Sequence, residues 1–245
     1  MSKQYSKEDL KIKVEVASEN MSTFYTRPFI NHTGKTKDDN SLFNCEFISG
    51  LIHKEWFDKI GVVHRRQGYF EDSHTAENRF SNSNREEEKI AMFYFANCRK
   101  GDVIGKIIDY QTPLKGKRKD GVGKVDLLSI DENKNVLFLE LKKPESKETL
   151  LRCVVEAFSY TKFVDQDVFR KDFKEKAQCD YNKIIPCALF FKNSRPYEDY
   201  ERIIAGKFQN MKTLIDALGV RLYCIKELSQ IGKERFFESE LLSID

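Results

Sequence analysis

Hydrophobic positions occur in short, punctuated runs along the chain, and the period of those runs changes from one to the next. Over residues 1–82 the pattern is weak. KIKVEV alternates as a strand does, and SGLIHKEWFDKIG has the apolar spacing of a short helix; polar stretches such as NHTGKTKDDNS surround both. From residue 83 the pattern sharpens. Ser83 or Asn84 is placed to cap a helix through EEEKIAMFYFANCR, with Glu86, Glu87 and Glu88 in its first turn, where negative charge suits the helix dipole. DVIGKIIDYQT reads as a strand, and KGKRKDGVG as a basic, glycine-containing loop. KVDLLSI and NVLFLELK follow as two strands joined by the turn DENKN. SKETLLRCVVEAFSYTKFV predicts an amphipathic helix, KIIPCALFFK a buried strand, and PYEDYERIIAGKFQNMKTLIDALG a further helix; RLYCIKE closes the set as a strand. This order predicts an α/β fold with a mixed sheet flanked by helices.

The hairpin carries the chemistry. Centring its turn on Asn133 pairs Ile130 with Val136, Leu128 with Phe138 and Asp126 with Glu140, and period-two alternation puts all of these on one face. Lys124 and Lys142 form the next pair, while Leu127, Leu137, Leu139 and Leu141 supply the opposite face. A solvated face would carry polar residues at 128, 130, 136 and 138, where this chain has Leu, Ile, Val and Phe. Two carboxylates opposed there repel each other, and either a shared proton or a divalent cation relieves the repulsion. The cation reading is a magnesium site of hard oxygen ligands with Lys142 beside it.

Composition narrows the picture without choosing a partner. The 245 residues fit one large domain or a core domain with an elaborated terminus, and 40% of them are apolar. Charged residues reach 33%, yet the net charge is only +3, so any electrostatic footprint must be local. The six cysteines form no CxxC pair, and several stand in apolar runs, which points to reduced, buried thiols rather than a disulfide framework or zinc ribbon. With no apolar leader and no long apolar span, a soluble, cytoplasmic protein with no membrane partner is expected.

Asp126, thirteen residues, then Glu140-Leu141-Lys142 resembles the D…(D/E)xK signature of the PD-(D/E)xK nuclease superfamily, the restriction-endonuclease-like fold. The order of elements around it is similar to that superfamily's αβββαβ core and covers residues 83 to about 192. Val125 stands where the superfamily often has Pro. Glu156-Ala157-Phe158-Ser159-Tyr160 is similar to the QxxxY motif of some branches, with Glu in place of Gln, which puts assignment to those branches in doubt.

The resemblance implies an N-terminal extension over 1–82 and a nuclease domain over 83–245. It implies phosphodiester hydrolysis with Mg²⁺, replaceable by Mn²⁺, held by Asp126, Glu140 and the Leu141 carbonyl. Glu87 on the leading helix, or Glu86 beside it, would add an acidic ligand; Lys142 would orient the attacking water, and Glu156 would orient a ligand. DNA is the expected partner, possibly RNA. Lys115, Lys117, Arg118, Lys119 and Lys124 form a candidate backbone-contact loop, and Tyr160 is a further candidate nucleic-acid contact; His64, Arg65 and Arg66 are a second basic candidate. A restriction-like role would favour a homodimer. The competing expectation is a nuclease-fold domain without catalysis that binds DNA or serves in assembly.

Overall fold

The computed structural model describes residues 5–65, 67–70, 74–75, 84–98, 101–116 and 121–244. Its core is a six-stranded mixed sheet in the order β3-β4-β5-β6-β7-β8, flanked by helices. The strands are β3 (Lys106–Pro113), β4 (Lys124–Ile130), β5 (Val136–Lys142), β6 (Ile184–Phe191), β7 (Arg221–Ile231) and β8 (Glu234–Leu242). β3, β4 and β5 run antiparallel, β5, β6 and β7 parallel, and β8 returns antiparallel to β7.

Alternation along β4 and β5 divides the core. Leu128, Val136 and Phe138 face α4 (Leu150–Phe163) and α5 (Gln166–Ala177), where Phe138 meets Phe169 edge-on at 5.4 Å. Burying one such ring stabilises the fold by about 2–3 kcal/mol. Leu127, Leu137, Leu139 and Leu141 face the other way, towards α3 (Glu86–Asn97) and Phe237 of β8, which stacks on Tyr94 at 5.3 Å.

The N-terminal segment packs on the α4 side. It comprises α1 (Lys7–Ser18), a small hairpin of β1 (Lys35–Thr36) with β2 (Asp39–Phe43), α2 (Asn44–Ser49) and three 3₁₀ turns. Leu10, Phe24, Ile30 and Ile48 share the core of Val154 and Met211. Polar ties fix it. The Glu46 carboxylate accepts from the amides of Asn210 and Met211 at 2.8 and 3.0 Å, satisfying the first turn of α7 (Gln209–Leu218). Thr149, which caps α4 by accepting from the Arg152 amide, donates its hydroxyl to the Ile30 carbonyl at 2.9 Å.

Several expectations are corrected. KIKVEV lies in α1, because Ser6 and Asp9 form a capping box and Leu10, Val14 and Ala17 bury one helical stripe. Across SGLIHKEWFDKIG no single helix forms: Ser49 ends α2, and Lys54–Lys59 makes a separate 3₁₀ segment. α3 begins after Arg85 with no side-chain cap, and Glu86, Glu87 and Glu88 stand in its first turn; Ser83 lies outside the described residues. β3 starts at Lys106 because Gly105 has φ +73°, and a Cβ there would collide with the Ile130 carbonyl.

The long helix expected near the C-terminus is two, α6 (Arg195–Ile204) and α7, separated at Gly206 with φ +71°. RLYCIKE is only the start of β7, and β8 follows through a turn at Gly232 (φ +61°). α5 fills a stretch for which no element was expected, with Asp165 capping the Val168 amide. No helix among the described residues is long and apolar enough to cross a membrane.

Candidate active site

The hairpin has the register centred on Asn133: Ile130 opposes Val136, Leu128 opposes Phe138 and Leu127 opposes Leu139. Beyond Leu127 the ladder stops. β4 continues with β3, as Lys124 pairs with Pro113, while β5 continues with β6, as Lys142 pairs with Phe190. Neither the expected Asp126–Glu140 pair nor the expected Lys124–Lys142 pair therefore forms. The strands fork instead, and the Asp126 side chain enters the gap.

One Asp126 oxygen accepts from the Leu141 amide at 2.8 Å, and the other from Gln111 Nε2 at 2.7 Å. Gln111 has φ +49° within β3, a left-handed conformation that a side chain adopts only under constraint, and it is 8% exposed. Burial pushes the Asp126 carboxyl up to about 7, against the pull of the Lys142 ammonium and the Leu141 amide; Glu156 and Glu87 add to the rise.

Glu140 and Lys142, two residues apart on one face of β5, are both buried. Lys142 Nζ lies 2.7 Å from Glu140 Oε1, 2.8 Å from Glu148 Oε2 and 3.4 Å from Glu156 Oε2. Burial works against this ammonium, but Glu140 and then Glu156 outweigh it, and its pKa stands well above the usual lysine value. Burial, with Asp126 and Glu156 next, drives the Glu140 carboxyl well above its ordinary range. Its second oxygen is buried and has no hydrogen-bond partner among the described residues.

α4 supplies the outer wall. Glu148 precedes its cap, and Arg152 and Glu156 follow at intervals of four, so one helix face carries all three. Arg152 Nη1 approaches Glu148 at 3.2 Å and its Nε approaches Glu156 at 3.7 Å. Tyr160 donates its hydroxyl to Glu156 Oε1 at 2.9 Å, and Tyr25 stands edge-on to the Tyr160 ring at 5.8 Å. Tyr160 is 4% exposed, and its hydroxyl fixes Glu156.

Asp126, Glu140, Lys142 and Glu156 thus come together. Glu87 is near, half-buried on α3, where its carboxylate accepts from the Lys143 amide at 3.3 Å; Glu86 is exposed and 3.4 Å from Lys143 Nζ. Four residues of this neighbourhood were not found from sequence. Glu148 and Arg152 were legible from their spacing to Glu156. Gln111 and Tyr25 carried no sequence signal, since a left-handed residue within β3 and an N-terminal 3₁₀ turn bring them in.

The donor set suits a hard cation. Four carboxylates (Asp126, Glu140, Glu148, Glu156) face two cations (Lys142, Arg152), so full ionisation leaves two negative charges unbalanced. The unpartnered Glu140 Oε2 is a buried oxygen available to a ligand. Asp126 and Glu140 are the groups that would hold a divalent ion, few enough that it would keep several waters. Among the described residues no group of three or more His, Cys, Asp or Glu side chains is spaced for a metal ion.

The basic candidates are dispersed. Lys115 is half-buried beyond the end of β3, and Lys124 half-buried at the start of β4; Lys117, Arg118, Lys119 and Arg66 lie outside the described residues. Arg65 donates to the carbonyls of Pro113 and Gly68 at 2.8 and 2.7 Å and lies over the Tyr69 ring at 4.8 Å, so it fastens a turn to β3. His64 Nδ1 is 2.9 Å from Asp165. No family model, no curated protein and no solved structure matches this chain.

Proposed function

We propose that the protein is a metal-dependent nuclease of the PD-(D/E)xK kind, hydrolysing phosphodiester bonds of nucleic acid, with DNA as the expected substrate. The observation that carries this reading is the meeting of Asp126, Glu140 and Lys142 at the fork between β4 and β5, with Glu140 Oε2 buried and unpartnered. The αβββαβ order of α3, β3, β4, β5, α4 and β6 supports it, with α5 as an insertion.

A bound Mg²⁺ or Mn²⁺ would supply positive charge against the phosphate and make water nucleophilic at neutral pH. Asp126 and Glu140 would hold the ion, and Gln111 keeps the Asp126 carboxylate turned into the fork. Lys142, held charged by Glu140, Glu148 and Glu156, would donate to a non-bridging phosphate oxygen and to the attacking water. Glu156, fixed by Tyr160, sets where that ammonium rests.

The test is incubation of purified protein with single-stranded, duplex and branched DNA and with RNA in Mn²⁺, beside Glu140→Ala and Lys142→Ala. Either substitution should lower cleavage by about a hundredfold or more. Cleavage that survives both would overturn the assignment. One observation favours a second reading, a domain that binds nucleic acid or a partner without cutting. Lys142 is enclosed by three carboxylates at 4% exposure. Binding without turnover in any metal would select it.

A further inference from the structure

A cleft of about 520 Å³ opens where β6 and β7 begin, beyond the last turns of α4. Its wall includes Lys54, Lys162, Arg170, Lys183 and Arg221, and no aspartate or glutamate. The β5–β6 pair runs from Val136 and Ile184 to Lys142 and Phe190. The cleft and the carboxylate cluster therefore lie at opposite ends of these strands, roughly 20 Å apart.

We propose that this cleft is a binding site for a phosphate-bearing anion, supplied either as a free nucleoside phosphate or as a phosphate of a nucleic-acid strand. Its volume suits a ligand of that size. Lys54 and Lys183 are exposed and have no carboxylate within ion-pair distance among the described residues. Lys162 and Arg170 are each 2.8 Å from an acid outside the cleft wall, Asp58 and Asp180, whose side chains are 70% and 48% exposed. Exposed pairs of this kind contribute little, so both cations can turn to a ligand.

Arg221 is different. Its partner Asp131, at 3.1 Å, is itself held by the amide and side chain of Asn135, so this guanidinium is preset. A planar guanidinium is the side chain best matched to phosphate oxygens. Tyr181 also lies in the wall, beneath the Arg170 guanidinium at 4.4 Å, and keeps that cation at the cleft.

The test uses full-length Glu140→Ala protein in EDTA, so that failure of the nuclease reading does not affect it. Binding of ATP, inorganic pyrophosphate, adenosine and a short single-stranded DNA is measured by calorimetry. The comparison is with the same background carrying Lys54→Glu and Lys183→Glu together, and with the exposed control Lys226→Glu. Pyrophosphate and either ATP or the oligonucleotide should bind, adenosine should not, and the double substitution should weaken binding about tenfold or more while the control leaves it unchanged. Tighter binding of ATP identifies a free nucleotide as the source, and tighter binding of the oligonucleotide a nucleic acid. No binding, equal binding of adenosine, or an equal loss in the Lys226→Glu control overturns the proposal.

Discussion

The Asp126 carboxylate accepts the Leu141 amide proton at 2.8 Å, at the point where β4 leaves β5 for β3. A side chain there takes the place of a backbone partner. The strand fork is sealed by the same group that would hold a metal, and the remaining Asp126 oxygen is kept in place by Gln111.

That arrangement makes stability depend on pH. The Asp126 carboxyl is pushed up to about 7, from an ordinary value of 3.8. Between those values the folded protein holds a proton that the unfolded chain has released, so this group's contribution to stability falls as pH rises through the window. Asp126→Asn removes the dependence. Relative to wild type it should gain about 2 kcal/mol between roughly pH 5 and pH 8, the full shift being discounted because the carboxylate is partly open to solvent. Urea midpoints in EDTA at the two pH values check this; a constant difference would contradict it.

Under the nuclease reading, metal and proton would compete for the same oxygens, so Mn²⁺ should raise the melting temperature of the wild type, and the rise should grow as pH increases through about 7. Asp126→Asn should abolish it. Thermal melts with and without EDTA give the answer, and a rise that persists in Asp126→Asn would place the ion elsewhere.

Lys142 is the countercharge of a buried acidic cluster, so its removal should be costly. Lys142→Met leaves Glu140 and Glu156 without their ammonium, with an expected loss of about 3 kcal/mol or more near pH 8. The loss should shrink as pH falls, because burial and its acidic neighbours raise the Glu140 carboxyl well above its usual range and favour its taking up a proton. Pairing it with Glu140→Gln should recover part of the stability. Guanidinium unfolding of the single and double variants measures the coupling.

Gly123 lies directly against the Tyr160 hydroxyl, leaving no room for a Cβ. Gly123→Ala should cost about 1–3 kcal/mol by displacing that hydroxyl and, with it, Glu156. Tyr160→Phe should reduce the cost of Gly123→Ala, giving a double variant more stable than the sum of the singles predicts. Strict additivity in denaturant unfolding would contradict it.

How far the sequence could be read depended on whether its signals were local. The hairpin was legible because turn, alternation and paired apolar residues agree, and Glu140, Lys142 and Glu156 follow from strand and helix periods. KIKVEV misled because its alternation mimics a strand; the Ser6–Asp9 capping box and the stripe of Leu10, Val14 and Ala17 decide for a helix. β8 left only a glycine turn as a trace, since its partly exposed residues gain their strand form from pairing with β7.

The sequence by itself determined the register about Asn133, the two-faced burial of the hairpin, and the face shared by Glu140 and Lys142. Those features rest on backbone periods that neighbours set. Tertiary structure decided that the strands part after Leu127, that Asp126 turns into the gap, and that Gln111, Glu148 and Arg152 complete the charge cluster. It also assembled the basic cleft from cations spread between Lys54 and Arg221. Such contacts join residues distant along the chain, and only the packing of helices on both faces of the sheet brings them within hydrogen-bonding reach.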